Sequence, residues 1–221
     1  MAKYDLVLKG GLVLDAAAKL EAVRDVGIQG GRIAAVEEEL DPTQADDVLD
    51  VSGRWVMPGL IDTHVHVAGF RTAMDPAIGL KQLAEAGTTT ALDLGGTMEQ
   101  LVDGVKRRGS GINIGGLHIL IPGSTIGSDE PPAGMIRDTL GKALKAGSLG
   151  FKILGGYYPF SPEKSAEIIH ICNEEMAWIA LHCGTKASGS TLHGMREVPE
   201  LVGRGRLHVA HINAYCRGLV R

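Results

Sequence analysis

Nothing in this chain reads as a nucleic-acid footprint, a membrane span or a disulfide framework. Lys and Arg (22) are outnumbered by Asp and Glu (26), and the one basic cluster, Lys106–Arg108, reads as the solvated end of a helix. No apolar stretch approaches the roughly 18 residues that a bilayer span needs. The opening Met-Ala-Lys-Tyr-Asp runs into an alternating, strand-like pattern, not the charged-then-apolar pattern of a signal peptide. The three cysteines, Cys172, Cys183 and Cys216, are odd in number and lack CxxC spacing, which argues for reduced thiols and a cytoplasmic location. No GxGxxG follows a first strand, so dinucleotide binding of the doubly wound kind is not expected. With 44% hydrophobic residues and a formal charge of −4, what remains is an ordinary globular protein.

The chain changes rhythm once. Residues 4–57 alternate in short strands, Tyr4–Lys9, Leu12–Leu14, Val26–Gln29, Arg32–Glu37, Asp47–Val51 and Trp55–Val56, with Gly-Gly turns expected at 10–11 and 30–31. This predicts a small antiparallel β-unit over 1–57. After Met57-Pro58-Gly59 the pattern becomes strand, loop, helix, repeated, which marks parallel βα units over 58–221. Six strands are expected: Leu60–His66, Thr88–Leu94, Asn113–Leu120, Leu149–Leu154, Trp178–His182 and Leu207–Ile212. Helical patterns over Pro76–Ala86, Met98–Arg108 and Pro162–Met176 separate them, the last opened by Ser161 as N-cap, Pro162 at the first helical position and Glu163. Polar residues gather at the C-terminal strand ends, where barrel active sites are built. The expected class is therefore α/β, an incomplete (β/α)8 TIM-like barrel.

The most informative stretch is Pro58-Gly59-Leu60-Ile61-Asp62-Thr63-His64-Val65-His66. Alternation along a strand aims His64 and His66 into one space, an arrangement that suits two imidazoles on one metal ion. Lys152 lies inside the apolar strand Gly150–Leu154, where burial disfavours the ammonium form and leaves a reactive amine. His182 and His211 each end a later strand, at the same mouth. Four histidines and a lysine at successive strand ends are hard to attribute to coincidence. His208, three residues before His211, is expected on the opposite face, toward a helix. His118 has no assigned role, and His170 and His193 read as surface or packing residues.

PGLIDTHVH resembles the first-strand motif of the amidohydrolase superfamily, in particular its hydantoinase, dihydropyrimidinase, dihydroorotase and D-aminoacylase branch. The preceding segment ending in VSGRWVMPG is similar to the small β-sandwich portion those proteins carry before the barrel. The resemblance implies two divalent metal ions, zinc first among them, held by His64, His66, His182, His211 and a carbamylated Lys152. It implies hydrolysis of a C–N amide bond, in a cyclic amide such as a hydantoin or dihydropyrimidine or in an N-acyl amino acid, by a hydroxide shared between the metals. Tyr157, five residues after Lys152, stands where hydantoinases keep a tyrosine that binds the substrate carbonyl, and Asn213 is a second candidate for substrate binding. Cys183 and Cys216 flank the ligands without the base that a thiol nucleophile needs.

Two features depart from the hydantoinase pattern. His182 is followed by Cys183-Gly184-Thr185, and the interval from His182 to His211 is short, which resembles D-aminoacylases more. The family's general acid/base aspartate belongs to an eighth strand and has no counterpart here, since Asp62 is out of phase with the ligands and Asp93 ends strand two. A second polypeptide or a further C-terminal segment is expected to complete the barrel, in an oligomeric enzyme acting on a small-molecule amide. The competing expectation is a non-catalytic dihydropyrimidinase-like scaffold, and a mononuclear deaminase is a third.

Overall fold

The structure, a computed structural model, describes residues 2–69 and 75–215. The chain divides into two compact units, Met1–Gly59 and Leu60–Arg221. No helix among the described residues is long and apolar enough to cross a membrane.

The first unit is one sheet of β1 (Tyr4–Asp15), β2 (Leu20–Gln29), β3 (Arg32–Glu37), β4 (Ala45–Asp50) and β5 (Trp55–Val56). Its order is β3-β2-β1-β4, with β5 also on β1. The hairpin at Gly30-Gly31 forms as expected: both residues have positive φ (58° and 71°), and Gln29 pairs with Arg32, the geometry of a two-residue turn that follows strand twist.

Two expectations fail here. The unit is not wholly antiparallel, because β4 and β5 both run parallel to β1. Nor is Gly10-Gly11 a turn: β1 continues through it with a register shift between Leu8 and Gly11. The reason is Asp25 of β2, which is buried. Its carboxylate accepts the Gly10 N–H at 2.8 Å, the Leu40 N–H at 2.8 Å and the Lys9 ammonium at 2.8 Å, so the ladder bond lost at the bulge is replaced by a side chain. The chain turns instead at 16–19.

The second unit alternates strands and helices: β6 (Leu60–Val65), α1 (Pro76–Glu85), β7 (Thr88–Asp93), α2 (Met98–Arg108), β8 (Asn113–Gly116), β9 (His118–Leu120), α3 (Ala133–Lys145), β10 (Gly150–Leu154), α4 (Pro162–Glu174), β11 (Trp178–His182), α5 (Leu192–Val202) and β12 (His208–Val209). All pairings are parallel, β6-β7-β8 in one sheet and β9-β10-β11-β12 in the other. β8 and β9 are the expected third strand, interrupted at Leu117, whose N–H goes to Asp93 O at 2.9 Å. Strands in sequential order with intervening helices make this an incomplete α/β barrel.

Side-chain alternation divides the core. Phe151 and Ile153 of β10 join Ile179 and Leu181 of β11 against Ile136 and Leu140 of α3 and Ile168 and Cys172 of α4. The opposite face carries a separate apolar layer of Leu92, Leu94, Leu117 and Ala180. β10 is buried on both faces, as expected of a central parallel strand. Helix α4 starts as the sequence indicates, with Ser161 Oγ accepting the Lys164 N–H at 3.2 Å. β6, by contrast, exposes Leu60 and Ile61, 50% and 69% accessible.

Phe151 is fully buried between β10 and the helices, so Phe151→Ala is expected to cost about 3–5 kcal/mol. Urea unfolding of the intact protein measures this; a loss below about 1 kcal/mol contradicts the packing described.

Candidate functional site

His64 lies near the end of β6 and His66 just beyond it, and their Nε2 atoms stand 3.1 Å apart with rings stacked at 5.2 Å. Two nitrogens bound to one tetrahedral zinc at 2.0–2.1 Å are separated by about 3.3 Å, so the pair is spaced for a shared ion. Asp62 Oδ1 accepts the His64 N–H at 3.0 Å. The segment that follows is held by Asp93, 1% exposed at the end of β7. Its carboxylate accepts four backbone N–H groups, those of Val67, Ala68, Gly95 and Gly96, at 2.6 to 3.1 Å. Burial raises the Asp93 pKa, and those donors oppose the rise. Gly95 is glycine for a spatial reason: a Cβ there would meet Ala68 O at 2.6 Å.

Lys152 occupies the middle of β10 with no exposure, and its Nζ has no hydrogen-bond partner. Burial pushes its pKa down to about 7 from 10.5. Strand register sets its neighbours on the same face: Ile119 on one side, Ala180 on the other, and His208 beyond Ala180.

His182 ends β11, paired with Leu154 one step further along that face. Its Nε2 lies 2.7 Å from Ser190 Oγ, and the Tyr157 ring stands edge-on at 5.5 Å. Gly156 presses against the same imidazole, leaving no room for a Cβ. His211 is 4.6 Å from His182 and 5.1 Å from His64 between ring centroids. It does not end a strand, as expected from sequence; β12 stops at Val209, and His211 adopts a left-handed conformation (φ 32°, ψ 58°) before the 3-10 turn Ile212–Ala214.

That break corrects the reading of His208. Counting back from His211 presumed continuous alternation, whereas register places His208 on the Lys152 face, its ring edge-on to His64 at 6.1 Å. It lines, with His64, His66, His211 and Asn213, an open cavity of about 740 Å³. His118 lies opposite Phe151, on the helix side, with Glu99 4.0 Å away. His170 pairs with Glu174 on the exposed face of α4, and His193 is exposed. Tyr157 is 52% exposed. Cys183 is buried behind β11, and Cys216 falls outside the described residues.

The four imidazoles are neutral at pH 7. Burial first, and then nearby Lys152 and the other histidines, lowers His64 to about 3; burial, His211 and Lys152 lower His182 to about 4. His66 and His211 are depressed mainly by burial, with Lys152 next. Neutral imidazole is the form with a lone pair for a metal. Among the described residues no three His, Cys, Asp or Glu side chains gather into a set able to hold an ion by themselves. The donors form two pairs, His64 with His66 and His182 with His211, and Lys152 is the remaining nitrogen. As a donor set this fits divalent metals that favour imidazole. Sequence reasoning missed Ser190 and Tyr215, which hold His182 and His211.

Residues 55–216 match the amidohydrolase family, and the chain belongs to it. Among curated relatives it is 28% identical over 202 residues to a D-aminoacylase of Alcaligenes xylosoxydans xylosoxydans, covering 76% of this chain and 41% of that protein. It is 36% identical over 91 residues to adenine deaminase 2 of Rhizobium meliloti, covering 41% and 15% respectively. The solved L-hydantoinase (dihydropyrimidinase) from Arthrobacter aurescens superposes with a TM-score of 0.65 at 18% identity, over 93% of this chain and 52% of that one, a likeness of fold. The chain thus spans about half or less of each.

The Lys152 pKa has a thermodynamic consequence in the metal-free protein. Between about 7 and 10.5 the unfolded chain holds a proton that folded Lys152 has lost, so stability rises with pH across that window and falls as pH drops through it. Lys152→Met is expected to flatten this part of the profile, as read from urea midpoints of both proteins; parallel profiles would mean that the amine is not desolvated.

Proposed function

We propose that this chain is the front part of a binuclear metal-dependent amidohydrolase that cleaves a C–N amide bond in a cyclic amide or an N-acyl amino acid. The observation that carries the reading is Lys152 Nζ, enclosed and without a partner, on the barrel face shared with the imidazole pairs. A neutral amine there adds to carbon dioxide, forming an N–C bond and releasing one proton, and the resulting carbamate is the anion that two cations require. His64 and His66 would hold one ion and His182 and His211 the other, zinc being one of the divalent metals that imidazole suits. When bound, the ions supply Lewis acidity, lowering the pKa of water toward 7 and polarising the scissile carbonyl.

The chain's own residues supply the substrate contacts. His208 and Asn213 line the cavity beside the first pair, and Tyr157, on the loop after β10, is the hydroxyl for the substrate oxygen. Ser190 must turn from His182 Nε2 if that nitrogen takes the ion. Both Asp93 oxygens are committed to backbone donors, so Asp93 does not carry the proton to the leaving nitrogen, and Asp62 alternates out of phase with the ligands. That group comes from further strands, on this polypeptide or a second one, which would also cover the apolar edge of β6. The small β-unit, residues 1–57, fits the front portion of the β-sandwich of such enzymes.

The match to an adenine deaminase favours a second reading, removal of a ring amine. The two separate in one experiment on the intact protein. Metal analysis is expected to give about two ions per chain, and a panel of hydantoin, dihydrouracil, N-acetyl amino acids and adenine to show amide cleavage. Lys152→Ala is expected to lose metal and more than about 100-fold in activity, beyond the effect of outer-shell changes. Turnover of adenine alone favours the deaminase, and no bound metal at all favours the non-catalytic scaffold.

A further inference from the structure

Tyr215 follows the 3-10 turn Ile212–Ala214 and is 5% exposed. Its hydroxyl oxygen accepts the Cys183 N–H at 2.8 Å and lies 3.1 Å from His211 Nδ1. Its ring stands 5.5 Å from the rings of both His182 and His211. One oxygen therefore joins the residue after His182 to the imidazole of His211, across the ends of β11 and β12. The backbone of His211 is left-handed, a conformation that residues with a Cβ hold only where the surroundings impose it. The turn that follows supplies that imposition, since Ala214 N–H returns to His211 O at 2.8 Å and Tyr215 N–H to Ile212 O.

We infer that Tyr215 is the positioning residue of His211, receiving its Nδ1–H and so fixing the tautomer whose Nε2 carries the lone pair. Nδ1 is occupied by the Tyr215 oxygen, so Nε2 alone is open to a ligand, and a nitrogen that takes a cation carries no hydrogen. The inference rests on the metal-site reading above for its purpose, and on the hydrogen-bond geometry for its existence.

The test uses the intact protein and Tyr215→Phe, which keeps the ring and removes the oxygen. Heteronuclear NMR of metal-free, 15N-histidine-labelled protein is expected to show the His211 hydrogen on Nδ1, and a mixed tautomer in the variant. Cobalt(II) titration after chelation is expected to show one of two sites weakened by about 10- to 100-fold in the variant and the other unchanged. A role in packing alone would lower the melting temperature and move neither readout. Hydrogen on Nε2 in the wild type, or cobalt affinity in Tyr215→Phe equal to wild type, overturns the inference. A wild type that binds no cobalt overturns the metal reading, and the NMR result then decides the tautomer claim alone.

Discussion

A primary amine closed inside a sheet, with no hydrogen-bond partner, is tolerated as the neutral base and strongly disfavoured as the ammonium ion. Lys152 is in that position, and the surrounding structure maintains it. Phe151 and Ile153, on either side of it in sequence, fasten β10 to the helix layer. Ala180, its neighbour on β11, belongs to a buried apolar cluster with Leu92, Leu94 and Leu117. Burial likewise depresses the four imidazoles nearby, and Lys152 lowers each of them further. The result is a run of neighbouring imidazoles, with ring centroids 5.2 Å apart for His64 and His66, 5.1 Å for His64 and His211 and 4.6 Å for His182 and His211.

The ends of the strands are held by side-chain hydrogen bonds as well as by the ladder. Asp93 gathers the loops after β6 and β7. Thr185 and Ser188 bond Glu197 of α5, which fixes the loop that carries Ser190 to His182. Gly156 and Gly95 permit the close approaches that these loops need. Placing the imidazoles on strand ends and on the short, braced segments that follow them gives them precision that a free loop lacks.

What the sequence shows and what it hides divide along the range of the interaction that decides each feature. The βα rhythm, the Ser161 cap and the His64/His66 spacing depend on residues a few positions apart, and the structure contains each of them. Gly10-Gly11 reads equally as a turn or a bulge, and the residue that decides, Asp25, lies on another strand. Parallel pairing of β4 and β5 with β1 is likewise a matter of crossover, not of local pattern. Alternation alone puts His208 on the wrong face, because periodicity holds only while the strand does and the left-handed residue His211 resets its phase. Tyr215 carries no sequence signal at all, since its partners are met through a turn and a neighbouring strand.

The pairing of the imidazoles bears on why a lysine stands among them. Each pair offers two nitrogens, which is short of what a divalent ion takes from a protein. A neutral amine has one lone pair and serves a single ion, leaving the other pair short of a donor. On the proposed reading, a carbamate on that nitrogen would add oxygen donors and a negative charge to the two imidazole pairs, offsetting part of the ions' charge in a low-dielectric interior. The enclosure of Lys152 therefore has a chemical use on that reading: it shifts the amine toward the neutral form able to take up carbon dioxide.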